Sequence, residues 1–129
     1  MHHKIAFVDD DRKILESLNL VFKDAPYHVV LCNSAFEALK IMENEEFSVV
    51  VSDLFMPGMK GDVFLQKVMQ KHPNTVRIIM TANSSATVTQ KNVHQVILKP
   101  WSIHQMISVI KDAVMLYEKN YDNPVVTSD

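Results

Sequence analysis

Four short stretches carry side chains suited to chemistry, and each follows an apolar run. Asp9-Asp10-Asp11 follows Ile5-Ala6-Phe7-Val8, and Asp53 follows Val49-Val50-Val51-Ser52. Thr81 follows Ile78-Ile79-Met80, and Lys99 follows Val96-Ile97-Leu98. Carboxylates brought close together repel and need protons or a cation to coexist. A ligand set made only of oxygen selects a hard divalent ion. Mg2+ is the natural choice, since it keeps waters and shares phosphate oxygens. In such a setting Asp53 could attack a phosphoryl group and carry it as an aspartyl phosphate. The Lys99 ammonium would offset charge on the transferring group. The Thr81 hydroxyl would donate to one of its oxygens. Each residue also has a plainer reading: helix cap for Asp9 to Asp11, turn former for Asp53, strand-end residue for Thr81, surface lysine for Lys99. Their joint placement at four separate strand ends favours the chemical reading.

The elements that must position them follow from periodicity. Residues 4–8 read as a first strand. A helix is expected over 12–23, with Ile14, Leu15, Leu18, Val21 and Phe22 on one face and Asp11 as its cap. Ala25-Pro26 ends it. Residues 28–32 form a second strand. Ser34-Ala35-Phe36-Glu37 matches a capping box that opens a helix to about Asn44. The β-branched run Val49-Val50-Val51 reads as a strand buried on both faces. Pro57-Gly58 breaks the chain after it, so Asp53 stands where strand becomes loop. A helix over 61–71, a strand over 76–80, a short or irregular helix within 82–94 and a strand over 95–98 follow. Ser102-Ile103-His104-Gln105 is a second capping-box match. It opens a last helix to about Lys119, with Ile103, Met106, Ile107, Ile110, Ala113, Val114 and Tyr117 on its buried stripe. Residues 121–129 read as a C-terminal tail or the start of a linker, leaving 1–120 as one domain. Strands alternating with helices predict a parallel sheet covered on both faces. Right-handed crossovers then bring every strand-to-helix loop to one rim, where open α/β sheets bind ligands.

The bulk properties narrow the function. A chain of 129 residues, 47% hydrophobic, suits one core. A net charge of −2 gives no basic footprint for direct nucleic-acid binding. No apolar run approaches a membrane span, and the amino terminus lacks a signal-peptide pattern. The single cysteine, Cys32, excludes an internal disulfide, fits a reducing cytoplasm and reads as a buried, inert thiol. The six histidines show no metal-ligand spacing.

Val8-Asp9-Asp10-Asp11, Ser52-Asp53-Leu54-Phe55-Met56-Pro57-Gly58, Met80-Thr81-Ala82 and Leu98-Lys99-Pro100 together resemble the four signatures of response-regulator receiver domains. Gly61, eight residues past Asp53, belongs to the same pattern. The resemblance runs from Lys4 to about Lys119. It implies an α/β, flavodoxin-like, doubly wound five-stranded parallel sheet, order 2-1-3-4-5, with helices on both faces. It implies Asp53 as phosphoacceptor, Asp10 as a direct Mg2+ ligand, Asp9 acting through water and the Phe55 carbonyl completing the protein ligands. Thr81 and Lys99 would contact the phosphoryl group, and the Lys99–Pro100 bond would be cis. The partners implied are a sensor histidine kinase or a phosphotransfer protein, with an output domain in the same chain or on another protein. The domain would switch conformation rather than turn over substrate, with self-catalysed phosphorylation and dephosphorylation. Two features depart from the family. Val96 stands where an aromatic residue is usual, three before Lys99. Lys99 follows Thr81 by only 18 positions, without the usual Gly-Ala approach to the last strand. The usual output face, between residues 82–94 and the last helix, is therefore not carried over.

Two other readings compete. A haloacid-dehalogenase-type phosphohydrolase also uses a strand-end aspartate, but it needs a second one two residues on, where this chain has Phe55. An inactive receiver-like interaction module would not need the acidic set to be intact.

Overall fold

In the computed structural model, residues 2–83 and 92–126 are described. Five strands, β1 (His3–Val8), β2 (Tyr27–Cys32), β3 (Val49–Asp53), β4 (Val76–Thr81) and β5 (Gln95–Leu98), form one sheet. Four helices, α1 (Arg12–Val21), α2 (Ala35–Met42), α3 (Gly61–Lys71) and α4 (Ile103–Asp122), connect or follow them. All strand pairs are parallel, in the order β2-β1-β3-β4-β5. This is the doubly wound architecture expected from the sequence. The short or irregular helix expected within 82–94 falls largely on residues outside those described.

Alternation along the central strands divides the core in two. Ile5, Phe7, Val49, Val51, Ile78 and Met80 point to α1 and α4. Ala6, Val8, Val50 and Ile79 point to α2 and α3. Every residue of β4 is buried, which explains its unbroken apolar character apart from Arg77 and Thr81. Phe7 stacks on Phe22 with ring centroids 5.4 Å apart, locking the end of α1 to β1.

The caps read from sequence are present. Asp11 accepts from the Lys13 amide, Ser34 from that of Glu37 and Ser102 from that of Gln105. Other expectations need correcting. Helix α1 stops at Val21, and α4 continues to Asp122, past Lys119. Along α4 the buried stripe includes Val109, whereas Ile103 and Ile107 are exposed. The sheet-facing side runs through Met106, Ile110, Ala113 and Tyr117. Ile107 is one residue on from Met106, turned about 100° away. Ile103 and Ile107 instead border the seam against α1, near Leu20 and Val21. Phe36 on α2 is also exposed, where its ring lies over Gly58.

Candidate functional site

Register brings the chemical residues together. Val8 pairs with Ser52, Asp53 with Met80 and Thr81 with Leu98, so four strands end level at one rim. One carboxylate oxygen from each of Asp9, Asp10 and Asp53 lies within 4.8 Å of the others. Asp9 is fully buried, Asp53 half-buried and Asp10 exposed. An all-carboxylate set that reaches from buried to open fits a hard cation that keeps part of its water.

Lys99 closes the group. Its Nζ donates to Asp9 Oδ2 at 2.8 Å and lies 3.6 Å from Asp53 Oδ1. Burial works against the ammonium, but the hydrogen bond and charge of Asp9, then of Asp53, outweigh it. The Lys99 pKa therefore stands above its ordinary value. Asp53 is pushed above the usual carboxylate value by burial first and by Asp9 second; Lys99 and the Leu54 amide only partly offset this. The pocket thus holds more negative charge than one lysine balances, and a cation would relieve it.

Backbone geometry fixes the carboxylates. The Leu54 amide donates to Asp53 Oδ1 at 2.9 Å, and the Asp11 amide donates to Asp9 Oδ1 at 2.9 Å. The buried Ser52 hydroxyl donates to the Asp53 carbonyl. Thr81 is buried at the end of β4, and its hydroxyl accepts from the Asn83 amide at 3.1 Å. The Lys99 amide donates to the Thr81 carbonyl at 2.9 Å, tying the two strand ends together. The Lys99–Pro100 bond is cis, as the resemblance implied.

Phe55 stands two residues beyond Asp53 with its ring half exposed, and Lys60 Nζ sits 5.4 Å from the ring centroid. The loop that carries it is closed by the Gly61 amide donating to the Leu54 carbonyl at 2.8 Å. Here glycine is required by space. A Cβ on Gly61 would lie 2.1 Å from the Asp53 carbonyl oxygen. Gly58, at φ +82°, makes the preceding turn. The sequence marked Gly61 by its spacing, but gave no reason for it.

Cys32 is buried, and burial pushes its thiol up to about 12, so it carries no thiolate at neutral pH. Among the described residues, no helix is long and apolar enough to cross a membrane.

Comparison with known proteins agrees with this geometry. Residues 5–111 match the family described as the response regulator receiver domain. The hydrogenase transcriptional regulatory protein HoxA of Bradyrhizobium diazoefficiens is 31% identical over 118 residues. That match covers 88% of this chain and 24% of HoxA, so the chain spans about a quarter of that relative's length. A CheY-like response regulator receiver domain protein from Methanospirillum hungatei superposes with a TM-score of 0.84 at 27% identity, covering 93% of this chain and 99% of that one. The response regulator TrrA of Thermotoga maritima, solved in complex with Mg2+ and beryllofluoride, shares the fold with a TM-score of 0.79 at 22% identity, covering 86% of this chain and 98% of that one.

Proposed function

This chain belongs to the response regulator receiver domain family, and from that premise we propose that Asp53 is its phosphoacceptor, working with Mg2+ held by Asp9, Asp10, Asp53 and the Phe55 carbonyl. The observation that carries this reading is the convergence of three carboxylates at the strand ends, two of which, Asp9 and Asp53, also pair with Lys99. The Mg2+–beryllofluoride complex of TrrA supports the choice of ion.

In this reading the donor is a phosphohistidine on a sensor kinase or phosphotransfer protein. A carboxylate oxygen of Asp53 forms a bond to phosphorus as the P–N bond breaks, and the imidazole nitrogen keeps the bonding pair. The Leu54 amide holds the carboxylate against rotation during attack. Mg2+ held by Asp9, Asp10, Asp53 and the Phe55 carbonyl would supply positive charge to offset that of the transferring group. Lys99 gives up part of its pairing with Asp9 for the new anion, and Thr81 donates its hydroxyl proton to another oxygen. Water later removes the group. The product is a conformational state, because phosphate favours whichever state it contacts better. The receiver unit is assigned to 1–120 and a tail or linker to 121–129, with the last turn of α4 crossing that boundary. It acts in the cytoplasm on an output carried by the same chain or by a partner.

Intact-mass measurement after incubation with acetyl phosphate and Mg2+ tests the assignment. One phosphoryl group should appear on the wild type, and none with EDTA or in Asp53→Asn. Undiminished labelling of Asp53→Asn would overturn it. Continuous turnover of small phosphoesters would indicate a phosphohydrolase instead.

A further inference from the structure

At the sheet edge opposite the acidic rim lies a polar cluster that the phosphoryl chemistry does not use. Arg77, the second residue of β4, is buried. Its Nε donates to the Asn92 carbonyl at 2.9 Å. Its Nη1 donates to the carbonyls of Thr75 at 2.8 Å and Pro73 at 3.3 Å. Among the described residues no carboxylate pairs with it, and burial pushes its pKa down to about 10. The Arg77 backbone holds the same segment two residues on, since its amide donates to His94 Nδ1 and its carbonyl accepts from the His94 amide.

The other side of loop 73–75 holds the end of α4. The Asn74 carbonyl accepts from Asn120 Nδ2 at 3.2 Å, and Asn74 Oδ1 accepts from the Val125 amide at 2.9 Å. Alternate residues of one short loop therefore grip two distant segments. The loop is also stiff. Pro73 fixes its own φ, and Thr75 Oγ1 donates to the Phe47 carbonyl at 2.6 Å.

We propose that loop 73–75 couples residues 92–94, which lead into β5 and so to Lys99 just beyond it, to residues 120–125, where the chain leaves its last helix. The guanidinium is a planar fork whose donors have fixed relative directions. Withdrawal of the Asn92 carbonyl frees that fork to turn, and its hold on Pro73 and Thr75 loosens with it. Asn74 lies between those two residues, so its grip on Asn120 and Val125 loosens as well. Coupling of this kind is reciprocal. Its use as an output route rests on the phosphoacceptor reading; the coupling itself does not.

Amide hydrogen exchange on the full chain tests it, read at His94 and Val125, with β1 as the unaffected reference. Asn74→Ala removes the acceptor for Val125, and exchange at His94 should also rise, by about fivefold or more. Arg77→Lys keeps the charge without the fork, and exchange at Val125 should rise by a similar factor. An unchanged His94 in Asn74→Ala overturns the coupling, as does an unchanged Val125 in a folded Arg77→Lys. If Arg77→Lys fails to fold, the Asn74→Ala result alone decides. Mg2+ and beryllofluoride added to the wild type separate the two readings. Failure to bind faults the phosphoacceptor assignment and leaves the coupling to the variants. Binding that alters His94 and leaves Val125 unmoved overturns the coupling.

Discussion

At the carboxyl edge of the sheet, Asp9, Asp10 and Asp53 converge, and Lys99 pairs with two of them, Asp9 and Asp53. At the amino edge, Glu46 accepts from the Tyr117 hydroxyl at 2.5 Å and faces His72 Nδ1 at 3.5 Å, while His3 Nδ1 meets the Ser48 hydroxyl at 2.8 Å. His72 Nε2 lies 2.7 Å from the Met42 carbonyl, and Arg77 has three carbonyls. Both edges bury polar groups, which costs stability unless each finds a partner. The amino edge meets that demand with unlike partners. The carboxyl edge gathers like charges and leaves them short of compensation. The difference separates an edge whose polar groups are each matched by a partner from one that keeps uncompensated negative charge. Local conflict of this kind, surrounded by satisfied packing, is what functional sites show.

The comparison can be broken at several points. Gly61→Ala should do the most damage, because a methyl group there collides with the Asp53 carbonyl oxygen. We expect a loss of about 3 kcal/mol in urea unfolding, together with weaker Mg2+ binding, since the acid and its loop are displaced together. A variant that kept both properties would show the carboxyl edge to be softer than its contacts imply.

Thr75→Val tests the opposite edge. It leaves the buried Phe47 carbonyl without its donor and should cost about 2 kcal/mol. The initial rate of labelling by acetyl phosphate should stay at the wild-type level, provided the measurement is made well below the melting temperature. A fall in that rate would mean that the two edges do not divide stability and chemistry as described.

Asp53→Asn should act in the other direction. The folded-state pKa of Asp53 is raised above 3.8, mainly by burial and by Asp9. Its contribution to stability is therefore present below that value and is lost as pH rises through the folded-state pKa. At pH 7 without a cation, the ionised group opposes folding. The amide should raise the melting temperature by a few degrees, with the gain shrinking toward pH 4 and in saturating Mg2+. A lower melting temperature at pH 7 would show that Lys99 already compensates the acid.

The smallest signal concerns Trp101. It is the only tryptophan, half-buried two residues beyond Lys99. Mg2+ with beryllofluoride should change its emission modestly in the wild type and not in Asp53→Asn. Binding without any change would place the lysine's movement away from this loop.

Much of the molecule was determined by the sequence alone. Period-two and period-3.6 patterns, together with side-chain caps at Asp11, Ser34 and Ser102, specify where elements begin, because those signals are local. Strand-end residues of the right types specify the rim, because parallel connections with right-handed crossovers leave it only one place to form. What lay beyond reach depended on contacts between distant residues. Ile107 and Val109 are both apolar, and only docking of α4 on the sheet decides which is covered. The length of α4 past Lys119 was likewise hidden, since Tyr121 and Asp122 carry no strong signal of their own. Arg77 is a polar residue within a largely apolar strand, and nothing local marks its role. Its three carbonyl partners lie 2 to 15 residues away and converge only after loop 73–75 folds back beside Asn92. Gly61 was visible as a spacing. The reason for it, a helix start pressed against the Asp53 carbonyl, exists only once the chain has turned at Gly58.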